Sequence, residues 1–205
     1  MSVRIYVEGG GDQRATLAKC REGFRTFFGQ VVPEGRSPRV IAGGGKGETF
    51  DAFRTAVTAG DDGTVLLLVD SDGDVAAGTE PWVFLHGRNG WDRPPGVHAD
   101  QAHLMVQCME AWLLADRETL EGFYGQGFVM GALPANPNVE QVPKVQVEEG
   151  LRNASRHART KGEYHKTRHG FDLLARIDAR KVRRASRYAE RLCDVLHRKT
   201  VGIPG

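Results

Sequence analysis

Residues 2–70 alternate between apolar, strand-like segments and helical ones, and this alternation limits the available folds more than any other feature of the chain. "SVRIYVE" (2–8) reads as a first strand, and "GGGD" then turns the chain into a helix over roughly 12–28. "SPRVIAGGG" (37–45) is a second strand ending in glycines. "GETFDAFRTAVTAG" (47–60) places Phe50, Phe53, Ala56 and Val57 at helical spacing. "TVLLLVD" (64–70) is a third strand, with the unbroken apolar run Val65 to Val69 of a strand covered on both faces. Such an order predicts a right-handed, parallel βαβ sheet, hence an α/β fold with helices flanking a mainly parallel centre.

Beyond residue 70 the pattern is looser. "EPWVFLH" (80–86) reads as another strand and "GRNGWDRPPGVHAD" (87–100) as a long loop. "AHLMVQCMEAWLLAD" (102–116) starts as a strand and becomes a helix, residues 122–143 look irregular, and two or three helices follow. The last of these is read as one helix over 180–199, with Val182, Ala185, Ala189, Leu192, Val195 and Leu196 on one face. No repeat or clear linker divides the chain. A single domain over 1–205 is expected, with a core at 1–120 and a basic, largely helical extension at 121–205.

No apolar run approaches the ~18 residues of a membrane span. The N-terminus has no secretory-signal pattern, and three scattered cysteines (Cys20, Cys108, Cys193) form no disulfide or zinc pattern. A soluble protein of the reducing cytoplasm is expected. Residues 151–205 hold 15 Lys or Arg against 5 Asp or Glu, leaving 13 against 21 in residues 1–150. An acidic body with a basic C-terminal third suits metal ions on one side and a polyanion on the other. The plainer alternative is a basic helix docked on its own acidic body.

The third strand ends in "DSDGD", with Asp70, Asp72 and Asp74 spaced two apart, and the first strand ends in Glu8. In open α/β sheets ligands bind at that end of the strands. If strands one and three are neighbours, Glu8 and Asp70 emerge side by side, and such carboxylates repel unless a cation or proton sits between them. Mg²⁺ is commonly held by one or two carboxylates plus water and substrate phosphate. A solvated turn is the alternative for "DSDGD". Glu110 has only apolar neighbours from Cys108 to Ala115, so it is expected to be buried and to need a partner. That partner is either a metal or a basic residue of the C-terminal third. Asp12 is expected to cap the first helix. "GGGKGET" (43–49) fails the P-loop spacing, because Lys46 is followed by Gly47. It reads as a turn, with Lys46 a candidate for contact with phosphate.

"VEGG" at Glu8 and the Asp70-Ser71-Asp72 pair resemble the Toprim fold, shared by topoisomerases, bacterial primases and overcoming-lysogenisation-defect nucleases. "YVEGGGD", "LLLVDSDGD", "MEAWLLAD" and "YHKTRHGFDLLARID" together resemble more closely domain-of-unknown-function family 4276, a Toprim-like group associated with anti-phage defence. The resemblance implies a divalent-metal-dependent nuclease using Mg²⁺ or Mn²⁺. Glu8, Asp70, Asp72 and Glu110 would be ligands, with Asp74 a further candidate, and Lys166 would be a basic catalytic residue near the phosphate. Arg168, His169, Arg183, Arg184 and Arg187 are candidate contacts to DNA or RNA. The chain carries no ATPase module of its own, so a nucleotide-driven activity implies a separate ATPase partner. Two other functions compete. One is a haloacid-dehalogenase-like phosphatase, whose nucleophilic Asp also follows an apolar strand in a DxDG context. The other is a non-catalytic Toprim-like subunit that binds nucleic acid or regulates a partner.

Overall fold

The segments richest in β-branched and aliphatic residues pair as one parallel sheet. A computed structural model of the protein describes residues 2–60 and 63–202. In chain order its elements are β1 (Ser2–Val7), α1 (Arg14–Gly29), β2 (Arg39–Ala42), α2 (Lys46–Thr58), β3 (Gly63–Asp70), α3 (Pro81–Asn89), β4 (Ala102–Met105), α4 (Met109–Leu113), α5 (Arg117–Tyr124), α6 (Lys144–Ser155), α7 (Phe171–Leu174), α8 (Ala179–Ala185) and α9 (Arg187–Val201). The sheet order is β2-β1-β3-β4, and every pairing is parallel. The α/β class and the parallel sheet flanked by helices therefore stand as the alternation of segments predicts.

The two-residue period of β3 divides the interior. Leu66 and Leu68 face one core with Val3, Ile5 and Val7, while Val65, Leu67 and Val69 face the other. The first core is completed by Phe24, Phe27 and Phe28 of α1 and by Trp112 of α4, whose indole stacks on Phe27 at 5.2 Å. Full burial of each such side chain contributes about 1.5–3 kcal/mol, so this face anchors α1 and α4 firmly. The second core takes Phe50 and Phe53 of α2, Trp82 and Leu85 of α3, and Tyr188 of α9.

Three local expectations are corrected. Residues 81–89 form helix α3 rather than a strand, because Pro81 occupies the first turn and the Glu80 carboxylate caps the N–H groups of Trp82 and Val83. The segment read as one helix over 180–199 breaks at Ser186, whose hydroxyl accepts the Ala189 N–H and starts α9. Asp12 is not a cap: α1 begins after Gln13, with no side-chain hydrogen bond at that end.

Part of the basic third is tied down. Arg183 pairs with Asp194 at 2.6 Å and Lys199 with Asp100 at 3.0 Å, while Arg191 donates to the carbonyls of Ala99 and Ala102. Lys199 and Arg191 thus dock α9 on the body, while the Arg183–Asp194 pair joins α8 to α9. Among the described residues, no helix is long and apolar enough to cross a membrane.

Candidate metal centre

Strands β1 and β3 are direct neighbours, with Val7 in register with Leu68, so the residues that follow them leave the same edge of the sheet. The order β2-β1-β3 also makes this a switch point: the chain steps from β1 to β2 on one side and returns to β3 on the other. A crevice forms at such points in open α/β sheets. Here it is a cavity of about 200 Å³, lined by Glu8, Asp70, Met109, Lys166, Phe171 and the glycines after β1.

Backbone geometry holds both carboxylates in place. The Asp70 N–H donates to Glu8 Oε2 at 3.0 Å, and the Met109 N–H donates to Asp70 Oδ1 at 2.9 Å. Each acid thus spends one oxygen on the main chain. Gly9 lies at φ +136° and bonds to the Gly44 carbonyl at 2.8 Å, joining the loops after β1 and β2. A Cβ there would press on Phe171 and the Cys20 thiol at 3.2–3.3 Å, so only glycine lets the β1 loop lie this close to α7.

The electrostatics are those of crowded acids. Burial raises the Asp70 pKa well above the usual carboxylate range, and the negative charges of Glu8 and Glu110 add to the rise. Burial raises Glu8 as well, against the Asp70 N–H and the Lys46 charge, which pull it down. Glu110 lies behind Asp70, fully buried, with Lys166 Nζ 3.0 Å from its Oε1. The ammonium is near enough to pair but is not aligned for a hydrogen bond, and both Glu110 oxygens lack one. Lys166 belongs to the C-terminal third, so the ion-pair alternative for Glu110 is the arrangement found. Burial works against the Lys166 charge, but Glu110 and Asp70 hold its pKa above the ordinary lysine value.

The five acids of the expected metal set do not gather around one point. Among the described residues no three His, Cys, Asp or Glu side chains are grouped to hold a metal ion. Asp72 bonds to Lys46 at 2.9 Å and Lys144 at 2.6 Å. Burial alone would raise its pKa, but these two ammoniums bring it below the usual value. Asp74 is exposed and accepts a hydrogen bond from Gln107. Glu8 and Asp70 remain at the cavity, with Glu110 behind them.

Among the basic candidates, His169 is corrected. It is buried, bonded to the Tyr124 hydroxyl at 3.2 Å and packed edge-on against Phe123, because the turn Lys166–Gly170 directs it inward. Arg168 is exposed on the same turn. Arg184 and Arg187 line separate hollows of about 500 and 620 Å³ that share no residue with the carboxylate cavity. Arg183 is occupied by Asp194. Three residues near Asp72 escape a reading of the sequence: Lys144, Gln107 and Arg88. Gln107 accepts the Lys144 N–H at 3.0 Å, and Arg88 donates to the Asp72 carbonyl at 3.3 Å. No local motif marks any of them.

Fold and site together define an α/β protein with a buried and a half-buried carboxylate side by side at the carboxyl edge of a parallel sheet. The chain belongs to the family described as Domain of unknown function (DUF4276), whose profile matches residues 7–197. No curated protein and no solved structure matches it.

Proposed function

We propose that the protein is a divalent-metal-dependent, phosphodiester-processing enzyme of Toprim type, a nuclease acting on nucleic acid. The observation that carries this reading is the meeting of Glu8 and Asp70 at the ends of adjacent parallel strands, inside a crevice also reached by Lys166. One buried and one half-buried carboxylate, mutually repelling and each with one oxygen committed to a main-chain N–H group, are a donor set suited to a hard cation. Mg²⁺ asks for one or two carboxylates and takes water and substrate phosphate for the rest, so the scarcity of further acids is compatible with it. Glu8 and Asp70 would hold the ion. Bound there, Mg²⁺ or Mn²⁺ supplies a water of lowered pKa and neutralises charge on a phosphate oxygen.

The protein's own residues do the remaining work. Lys166, charged at neutral pH and lining the crevice, is placed to meet a phosphate oxygen while it balances Glu110. The main-chain donors at Asp70 and Met109 fix the two carboxylates, so little reorganisation is needed when substrate arrives. A role in anti-phage defence beside a separate ATPase chain rests on the family resemblance and forms part of the proposal.

The test is cleavage of labelled single- and double-stranded DNA and RNA with Mg²⁺ or Mn²⁺, in wild type, Glu8→Gln and Asp70→Asn. The proposal expects metal-dependent cleavage that both variants abolish. A phosphatase of the haloacid-dehalogenase kind would lose activity in Asp70→Asn and keep it in Glu8→Gln. Metal binding without turnover on any of the four substrates would favour the non-catalytic subunit.

A further inference from the structure

Asp72 is not among the residues that line the crevice, and both of its carboxylate oxygens are engaged by lysines. We infer that Asp72 is a positioning residue which holds Lys46 and Lys144 together as a two-ammonium clamp for the phosphate backbone, beside the carboxylate crevice. This inference rests on the nucleic-acid reading above and adds the site that grips the substrate.

Three segments far apart in sequence converge here. Lys46 opens α2 immediately after the glycine loop whose Gly44 lines the crevice, and Lys144 opens α6. Asp72 gives one oxygen to each, Oδ2 to Lys46 at 2.9 Å and Oδ1 to Lys144 at 2.6 Å. Both carboxylate oxygens are therefore committed to charge-assisted hydrogen bonds, which are among the stronger ones a side chain makes. A metal role would require Asp72 to give these up and would bring a cation beside two ammoniums.

The backbone is built for the same purpose. Asp72 sits at φ +54°, the only non-glycine residue with positive φ among those described. Its N–H is bonded to the Gln107 carbonyl at 2.9 Å, and its own carbonyl accepts from Arg88. Gln107 also accepts the Lys144 N–H, so a single residue after β4 fixes both Asp72 and the start of α6. A left-handed Asp is tolerated because its short polar side chain finds local partners. The conformation costs free energy and persists only where its surroundings enforce it.

Lys46, Lys144 and Arg88 surround the Asp72 group, and the Glu8 and Asp70 carboxylates lie near enough to act on the same lysines. Each ammonium has three donors and uses one on Asp72, leaving others for phosphate oxygens. The charges of Lys46 and Lys144 are both felt at Glu8, so a backbone held by them passes close to the crevice. All three members of the triad remain partly open, with Lys46 at 15%, Lys144 at 32% and Asp72 at 34% side-chain exposure.

The experiment measures two bindings separately: a fluorescein-labelled single-stranded oligodeoxynucleotide by anisotropy without divalent ions, and Mn²⁺ by electron paramagnetic resonance. The variants are Asp72→Asn, which tolerates the left-handed backbone, and the pair Lys46→Met with Lys144→Met. Simple charge counting says that Asp72→Asn should bind the oligonucleotide more tightly, since a negative charge is lost. The clamp predicts the reverse. Both variants weaken binding by about tenfold and lower the salt slope by roughly 1–2, and adding Asp72→Asn to the double-lysine variant costs little more. Mn²⁺ affinity stays at the wild-type value in Asp72→Asn. Tighter or unchanged oligonucleotide binding by Asp72→Asn overturns the clamp and leaves the Glu8–Asp70 reading intact. A loss of about tenfold or more in Mn²⁺ affinity also overturns it, because that is the effect of a residue that orients or belongs to the metal's ligands, and the clamp gives Asp72 no such part. Wild type that binds the oligonucleotide but no Mn²⁺ contradicts the metal reading while the clamp stands.

Discussion

Replacing Lys166 by Met removes the ammonium that faces Glu110 and keeps most of the aliphatic stem. The Glu110 carboxylate is 0% exposed, and Lys166 Nζ stands 3.0 Å from its Oε1. At an effective dielectric constant of about 20, unit charges at that distance attract by about 5 kcal/mol. The lysine side chain is 47% exposed, so solvent screens the pair and the figure must be discounted. A stability loss of about 2–3 kcal/mol is the expectation, somewhat below the range for breaking a fully buried pair. Equilibrium urea unfolding at pH 7, followed by tryptophan fluorescence, measures it. The double variant with Glu110→Gln should recover a large share of the loss, since the carboxylate that lacked a counter-ion is then neutral. A Lys166→Met variant within about 0.5 kcal/mol of wild type would refute the reasoning, because 0.5 is the scatter of ordinary surface changes. Recovery failing in the double variant would show that the loss lies in packing and not in charge.

Two further outcomes follow from the carboxylates. Asp70→Asn keeps an acceptor for the Met109 N–H but removes a charge that burial and Glu8 make unfavourable. The metal-free variant should gain about 1 kcal/mol, read as roughly 2–4 °C in Tm, and lose any rise in Tm on adding Mn²⁺. The same raised pKa sets a pH dependence. The folded state holds the Asp70 proton more tightly than the unfolded chain, so its part of metal-free stability falls as pH rises from the unfolded value toward the folded one. Asp116 behaves in the opposite sense. Burial would raise its pKa, but Lys181 at 2.6 Å, with the Asp178 N–H, brings it below the ordinary value. Its contribution is present above the unfolded pKa and lost as pH falls through the folded one. Lys181→Met should therefore move acid unfolding, followed by circular dichroism, to higher pH.

The sheet was legible because a parallel strand covered on both faces has to be an apolar run, and Val65 to Val69 is one. Glu8 and Asp70 were legible for the same reason: an acid directly after such a run stands at the sheet's edge. Glu110 could be read as buried from its apolar neighbours, and its partner could be narrowed to a metal or a basic residue. The misreadings have equally definite causes. The apolar, β-prone run in "EPWVFLH" outweighed Pro81 and the capping Glu80, which together start a helix. Val182, Ala185, Ala189 and Leu192 keep helical spacing across Ser186, so periodicity could not reveal the break there. The role of Asp72 was out of reach. It depends on Lys144, which lies 72 residues away in a segment without a motif, and on a left-handed backbone that a carboxylate in "DSDGD" does not announce.

The central claim is that Glu8 and Asp70 share one divalent cation. A crystal soaked in Mn²⁺ and measured at the manganese absorption edge tests it most directly. The account predicts an anomalous peak bounded by the Glu8 and Asp70 carboxylates, absent in Asp70→Asn crystals treated alike. A soaked wild-type crystal with no peak at that position, or with its peak on Asp72 and Asp74, would contradict it.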